Sequence, residues 1–111
     1  MNDYQPGDIV KVDLGKTIGH EQRGYRPAVV MFKYLFGVII VIPLTKRKRN
    51  WWTIVKIEKS IGSLKRDSFA LCHQIRAISQ NRIRNKIGSI PIIYMGKIKT
   101  VLANIFEWGT K

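Results

Sequence analysis

The sequence predicts a mainly β fold, a small twisted antiparallel barrel followed by one C-terminal helix. Five or six short segments carry alternating or uninterrupted apolar residues, and turn signals separate them about every 8–12 residues. Only one long stretch, near the end, has helical spacing. The chain has 111 residues, which suits one domain with a single hydrophobic core. We expect that domain to cover residues 1–111.

The first three predicted strands surround one polar loop. Residues 9–14 alternate apolar and charged side chains, residues 27–34 are mainly apolar, and a short turn leads to a third strand over residues 38–45. The third strand is apolar on both faces, so we expect it at the centre of the sheet. Pro43 near its end predicts a bulge or a sheet edge, because proline cannot donate a backbone hydrogen bond.

The second half predicts shorter strands and the helix. Strands are expected over residues 52–58, 68–71, 74–78 and 83–88, the middle two either linked or continuous, with a helical turn capped by Ser79 before the last one. The helix opens at Ile90-Pro91, where proline suits the first turn. Its apolar stripe should pack on the sheet and consists of Tyr94, Ile98, Val101, Leu102 and Ile105.

Charge is the strongest compositional signal. The chain has 20 basic and 7 acidic residues, a formal net charge of +13, which favours a polyanionic partner. Nucleic acid is the first candidate, an acidic protein the second and an anionic membrane surface the third.

The single cysteine, Cys72, can form no internal disulfide and is expected as a small buried hydrophobe. With no signal-peptide pattern and no apolar run long enough to span a bilayer, we expect a cytoplasmic protein.

The loop between the first two strands concentrates groups that transfer protons or bind anions. It contains His20, Glu21, Gln22 and Arg23, and Arg26 follows where the next strand begins. One cysteine and two histidines cannot make a structural zinc site, and the chain has no glycine-rich phosphate loop. Acid–base chemistry on an anionic substrate remains. RNA fits, because its 2′-hydroxyl is a built-in nucleophile and cleavage then needs only a base, an acid and cationic groups.

Several motifs, in order and spacing, resemble the MazF/PemK toxins over essentially the whole chain. They are Gly7-Asp8-Ile9-Val10, Gly19-His20-Glu21-Gln22, Arg26-Pro27-Ala28-Val29-Val30, Pro43-Leu44-Thr45 and Gln74-Ile75-Arg76-Ala77-Ile78. The resemblance implies an SH3-like antiparallel barrel of the MazF and CcdB type, a homodimer and no cofactor. It also implies an mRNA interferase, which cleaves single-stranded RNA at short sequences without a metal and leaves 2′,3′-cyclic phosphate and 5′-hydroxyl ends. An acidic antitoxin would block the site.

The resemblance also implies roles for individual residues. Arg26 matches the family's catalytic arginine and Thr45 its threonine partner, while His20 and Glu21 match loop positions that contact RNA or assist proton transfer. His73 departs from the pattern, because many relatives have a carboxylate there. We therefore consider two readings of His73: it replaces that carboxylate as acid or base, or it only makes a local hydrogen bond. The expected RNA-binding residues are Gln22, Arg23, Lys46, Arg47, Lys48, Arg49, Trp51, Gln74 and Arg76.

Trp51 and Trp52 follow the basic run and enter the predicted fourth strand. Because neighbouring strand residues point to opposite faces, we expect one ring in the core and the other free to stack on an RNA base. The alternative is that both rings are packed in the core or in a dimer interface. Two other functions remain open: a barrel that binds RNA or an acidic partner without cutting, and a DNA-binding or gyrase-directed toxin. The match at Arg26 and Thr45 argues against the last.

Overall fold

The computed structural model describes residues 3–15, 19 and 24–109. This part of the chain contains seven strands and one α-helix, in the order β1 (Asp8–Asp13), β2 (Tyr25–Lys33), β3 (Val38–Thr45), β4 (Ile54–Ile57), β5 (Ser68–Leu71), β6 (Arg76–Ser79), β7 (Ile83–Ser89) and α1 (Ile92–Gly109). Three short 3-10 helices lie at Ile61–Ser63, Cys72–Gln74 and Gln80–Arg82. No helix in the described ranges is long and apolar enough to cross a membrane.

All described strand pairs are antiparallel, in the order β4-β5-β3-β2-β1-β7, and β6 also pairs with β3. The predicted fold class, mainly β with a C-terminal helix, is confirmed, as is the central position of β3. Within the described residues the sheet does not close by backbone pairing: β4 and β7 end the main strand order, and β6 pairs with β3 alone.

Pro43 neither bulges the sheet nor lies at its edge, so that prediction is wrong. It is buried and pairs with Ala28 of β2. On its other side β3 changes partner: residues 38–41 pair with β6, and residues 44–45 pair with β5. Pro43 falls in the interval between these two ladders, where a missing N–H interrupts neither of them.

The apolar interior forms two clusters instead of the expected single core, because β1, β2 and β3 bury both faces. Ile9, Val29 and Ile42 belong to the cluster beneath the helix, and Val10, Val30 and Val41 belong to the other. The predicted helix stripe is confirmed as part of the first cluster, with Ile98 fully buried. Burial of one such side chain stabilises the fold by about 1.5–3 kcal/mol.

Two turns fix the path of the chain around the sheet. The strands predicted over residues 68–78 are separate, because the 3-10 helix Cys72–Gln74 turns the chain between β5 and β6. The predicted cap at Ser79 is confirmed, since its hydroxyl accepts a hydrogen bond from the Asn81 N–H at 3.2 Å. Gly88 of β7 packs so closely on Gly62 that a Cβ at position 88 would overlap the Gly62 carbonyl.

Candidate active site in a cationic cleft

A cleft at the end of β3 brings Arg26 and Thr45 together. Its volume is ≈ 450 Å³, and it is lined by Arg26, Thr45, Lys46, Arg47, Arg49 and Arg66. The two residues are nineteen positions apart in sequence, and the antiparallel β2–β3 ladder, which ends at the pair of Ala28 with Pro43, brings the start of β2 beside the end of β3. The cleft therefore exists only in the folded protein, where the sheet brings the two strand ends together.

Arg26 lies near the start of β2, half-buried and opposite Val12 of β1. Just before it, two backbone hydrogen bonds close the base of the β1–β2 hairpin. Leu14 N–H donates to the Gly24 carbonyl at 2.9 Å, and Gly24 N–H donates to the Gly15 carbonyl at 3.0 Å. Gly24 has φ +75°, a left-handed conformation that favours glycine. The loop thus returns to the sheet two residues before Arg26.

Thr45 is the last residue of β3 and is only 7% exposed. Its Oγ1 accepts a hydrogen bond from the Arg47 N–H at 3.2 Å, which orients the side chain at the start of the basic loop. A hydroxyl that accepts one bond still has a proton to donate. Thr45 can therefore donate a hydrogen bond to an anionic oxygen bound in the cleft.

Five of the six lining residues are basic and none of the six is acidic. Guanidinium groups stay protonated and present planar, bidentate donors that match phosphate oxygens. The arrangement suits a phosphodiester chain. Lys46, Arg47 and Arg49 were expected to bind RNA, and they line this cleft.

Arg66 is the lining residue that the sequence did not single out. It lies in the loop between β4 and β5, twenty-one positions after Thr45. Only the pairing of Thr45 with Phe69 brings that loop to the end of β3. In the sequence, the only indication that Arg66 could bind an anion is the short charged run Lys65-Arg66-Asp67 that contains it.

His73 belongs to a different cluster and is not among the residues that line the cleft. Its Nδ1 lies 2.9 Å from Thr53 Oγ1, and its ring centroid is 5.7 Å from that of Trp51. Partial desolvation lowers the pKa of the exposed His73 below its ordinary value of 6.5. This shift favours the uncharged imidazole at neutral pH.

Both tryptophans after the basic run are exposed, Trp51 by 60% and Trp52 by 57%. The expectation that one of the two rings is in the core is wrong. The strand rule does not apply to them, because β4 begins only at Ile54. The alternative that both are packed in the core is wrong as well.

The remaining predicted residues are distributed as follows. His20, Glu21, Gln22 and Arg23 lie outside the described residues. Lys48 is exposed on the basic loop, and Gln74 is half-buried in the same 3-10 helix as His73. Arg76 donates from Nη1 to the Leu14 carbonyl at 3.4 Å and lines a second cavity with Phe36 and Arg82.

The described residues contain no group of three His, Cys, Asp or Glu side chains that could hold a metal ion. Cys72 is fully buried, as expected. Its burial raises the pKa of the thiol to about 12. Because the thiolate is the reactive form, this cysteine is not a nucleophile at neutral pH.

Comparison with known proteins gives a consistent picture. The family model for "PemK-like, MazF-like toxin of type II toxin-antitoxin system" matches residues 5–106. The endoribonuclease MazF of Staphylococcus saprophyticus is 39% identical over 88 residues, 73% of this chain and 72% of that protein. The endoribonuclease EndoA of Bacillus subtilis is 29% identical over 102 residues, 86% of this chain and 88% of that protein.

Solved structures share the fold. The crystal structure of MazF from Deinococcus radiodurans has a TM-score of 0.82 at 21% identity and covers 95% of this chain and 99% of that one. A mycobacterial endoribonuclease, solved in complex with its cognate antitoxin, has a TM-score of 0.77 at 18% identity, with 95% and 96% coverage. From the family match over residues 5–106, the chain belongs to the PemK-like, MazF-like toxins of type II toxin–antitoxin systems.

Proposed function

We propose that this chain is an endoribonuclease toxin that cleaves single-stranded RNA at short sequences without a metal ion. One observation carries the proposal: Arg26 and Thr45 line the same cation-rich cleft. Relatives named as endoribonucleases, one of them 39% identical, support it. The substrate is messenger RNA in the cytoplasm.

In the proposed reaction the ribose 2′-oxygen attacks the adjacent phosphorus while a base takes its proton. The bond from phosphorus to the 5′-oxygen breaks as an acid protonates that oxygen, which leaves a 2′,3′-cyclic phosphate and a 5′-hydroxyl. The phosphorane carries an additional negative charge in between. Donors already positioned for that charge accelerate such steps, and we assign this role to the Arg26 guanidinium and the Thr45 hydroxyl.

We assign the two proton transfers to His20 and Glu21. A guanidinium is a poor base, whereas an imidazole with an ordinary pKa near 6.5 can act as acid or base at neutral pH. The closed base of the β1–β2 hairpin supports the assignment, because the loop that carries both residues ends two positions before Arg26.

The partners follow from charge and exposed surface. We propose that an acidic antitoxin binds this chain, since the net charge is +13 and one structural relative was solved with its cognate antitoxin. We also propose a homodimer. Large exposed apolar side chains support it, notably Ile92 and Phe106 on α1 and Phe36 on the β2–β3 turn. Sedimentation equilibrium at micromolar protein tests the dimer, and a monomer at all concentrations would contradict it.

Incubation of the purified protein with a long single-stranded RNA in excess EDTA tests the activity. We expect fragments with 5′-hydroxyl ends, which a kinase can label without prior dephosphorylation. Arg26→Ala should abolish these fragments. Lys99→Ala is the control and should not abolish them, because Lys99 is exposed on α1 and its replacement removes one positive charge outside the cleft. RNA that is shifted on a gel but intact would identify a binding module. Equal cleavage by Arg26→Ala would refute the assigned site.

A further inference from the structure

We infer that Trp51, Thr53 and His73 form a base-binding subsite beside the Arg26 cleft, in which His73 recognises the edge of an RNA base and does not transfer a proton. The inference rests on the proposed function and deepens it, because it names where the chain reads the sequence of its substrate. His73 then makes a local hydrogen bond, the second of its two expected roles, and an RNA base is its further partner.

The subsite is held together by backbone pairing. Ile54 of β4 pairs with Leu71 of β5, and Cys72 N–H donates to the Thr53 carbonyl at 3.2 Å. This pairing places His73, which follows Cys72, beside Thr53, which precedes Ile54. The Thr53 hydroxyl then fixes one nitrogen of the His73 ring, Nδ1, at 2.9 Å.

The rings of Trp51 and His73 are tilted against each other, and both are exposed. Their centroids are 5.7 Å apart and their planes are tilted by 54°, so the two rings do not stack flat on each other. Trp51 remains 60% exposed and His73 is exposed too. An exposed indole offers a flat face on which an unpaired base can stack, whatever its identity.

His73 can add selectivity to that stacking. With Nδ1 bonded to Thr53, the second ring nitrogen, Nε2, can make one hydrogen bond to a base, as donor or acceptor according to the tautomer. Partial desolvation lowers the pKa of His73, which favours the neutral ring at neutral pH. A neutral imidazole suits the polar edge of a base better than it suits a phosphate.

The subsite lies close to the cleft along the chain. Arg49 lines the cleft, and Trp51 follows two residues later, so their Cα atoms are at most about 7 Å apart. In the other direction β5 continues from Phe69, the partner of Thr45, to Leu71 before the chain turns to His73. An RNA strand whose reacting phosphate is bound at Arg26 can therefore place a neighbouring base against Trp51, while His73 stays apart from that phosphate.

Binding of RNA that cannot be cut tests the subsite. The probes are fluorescent 2′-O-methyl oligonucleotides, one for each of the four bases, and an abasic oligonucleotide of equal length. Trp51→Ala should weaken binding to the preferred base by about 5- to 140-fold, the usual range for one stacked base. It should leave binding to the abasic probe unchanged. Trp52→Ala is the matched control, since Trp52 has the same ring and similar exposure.

The kinetic readout separates recognition from proton transfer. On cleavable RNA, His73→Phe keeps a ring beside Trp51 but removes the hydrogen bond to the base. We expect a lower kcat/KM through a higher KM, a changed base preference, and a pH profile of kcat/KM with the same shape as in the wild type. Trp51→Phe, which keeps a flat ring, should retain most of the affinity, and thermal melts establish that each variant is folded.

Three outcomes would overturn or support the proposed subsite. Equal weakening of the abasic probe and the base-containing probes by Trp51→Ala would overturn the stacking subsite. Loss of kcat in His73→Phe together with loss of one limb of the pH profile would overturn the recognition role. Base-dependent binding through Trp51 in a protein that cuts no RNA would support the subsite and refute the proposed nuclease activity.

Discussion

Replacement of Thr45 by valine tests the cleft with little change of shape. Valine has nearly the same volume as threonine but no hydroxyl. It removes the acceptor of the Arg47 N–H, a bond of 3.2 Å, and the hydroxyl proposed to donate to the phosphate. The substitution therefore has one structural and one catalytic consequence, which can be measured separately.

The structural consequence should be small. Loss of one partly buried hydrogen bond costs about 0.5–1.5 kcal/mol of unfolding free energy. For a chain of this length that lowers Tm by about 2–6 °C. A domain with an ordinary stability of about 5–15 kcal/mol stays folded at 25 °C. The catalytic consequence should be large, since removal of one donor to a developing oxyanion typically lowers kcat by about 10²–10³.

Single-turnover cleavage of a short RNA at 25 °C, with a thermal melt of the same protein, measures both. Thr45→Ser is the matched control, because it restores the hydroxyl and should recover most of the rate. A Thr45→Val enzyme that cuts as fast as the wild type would refute the role of the hydroxyl. A similar loss in Thr45→Ser would show that the methyl group and packing matter instead.

Three further predictions concern packing, charge and the thiol. Gly88→Ala should destabilise the fold by about 1–3 kcal/mol or more, because the new Cβ would overlap the Gly62 carbonyl. Gly96→Ala is the matched control: position 96 has open space around it, so alanine there should stabilise the helix by about 0.5–1 kcal/mol. Equal Tm values for these two variants would contradict the close contact. Arg66→Ala should reduce the salt slope of log affinity for single-stranded RNA by about 0.7, and an unchanged slope would place Arg66 off the phosphate path. Cys72, with its pKa raised to about 12 by burial, should resist iodoacetamide at pH 8 until the protein is unfolded, and rapid labelling of the native protein would contradict its burial.

Local patterns predict most of the strands and the end of β3, although the described residues form seven strands and not the expected five or six. The apolar run over residues 38–45 predicts β3 with its observed bounds, and therefore places Thr45 at the start of the basic loop. Hydrophobic periodicity also identifies the buried stripe of α1, because both signals depend on neighbours within one element. The helix starts at Ile92, one residue beyond Pro91.

Contacts between distant loops could not be predicted in the same way. Arg66 enters the cleft only because Phe69 pairs with Thr45, a register that no local pattern specifies. The alternation rule failed at the tryptophans because it holds only inside a strand. His73 directly precedes the motif that begins at Gln74, but its ring is positioned by Thr53, twenty residues earlier, across the β4–β5 pairing.

Cleavage of an RNA with one 2′-deoxyribose immediately 5′ of the cut tests the central claim most directly. If the neighbouring 2′-oxygen is the nucleophile and the protein only supplies Arg26, Thr45 and the loop groups around it, this oligonucleotide should bind with normal affinity and stay intact at that position. Its cleavage at the wild-type rate would require another nucleophile, and the account of this cleft would be wrong.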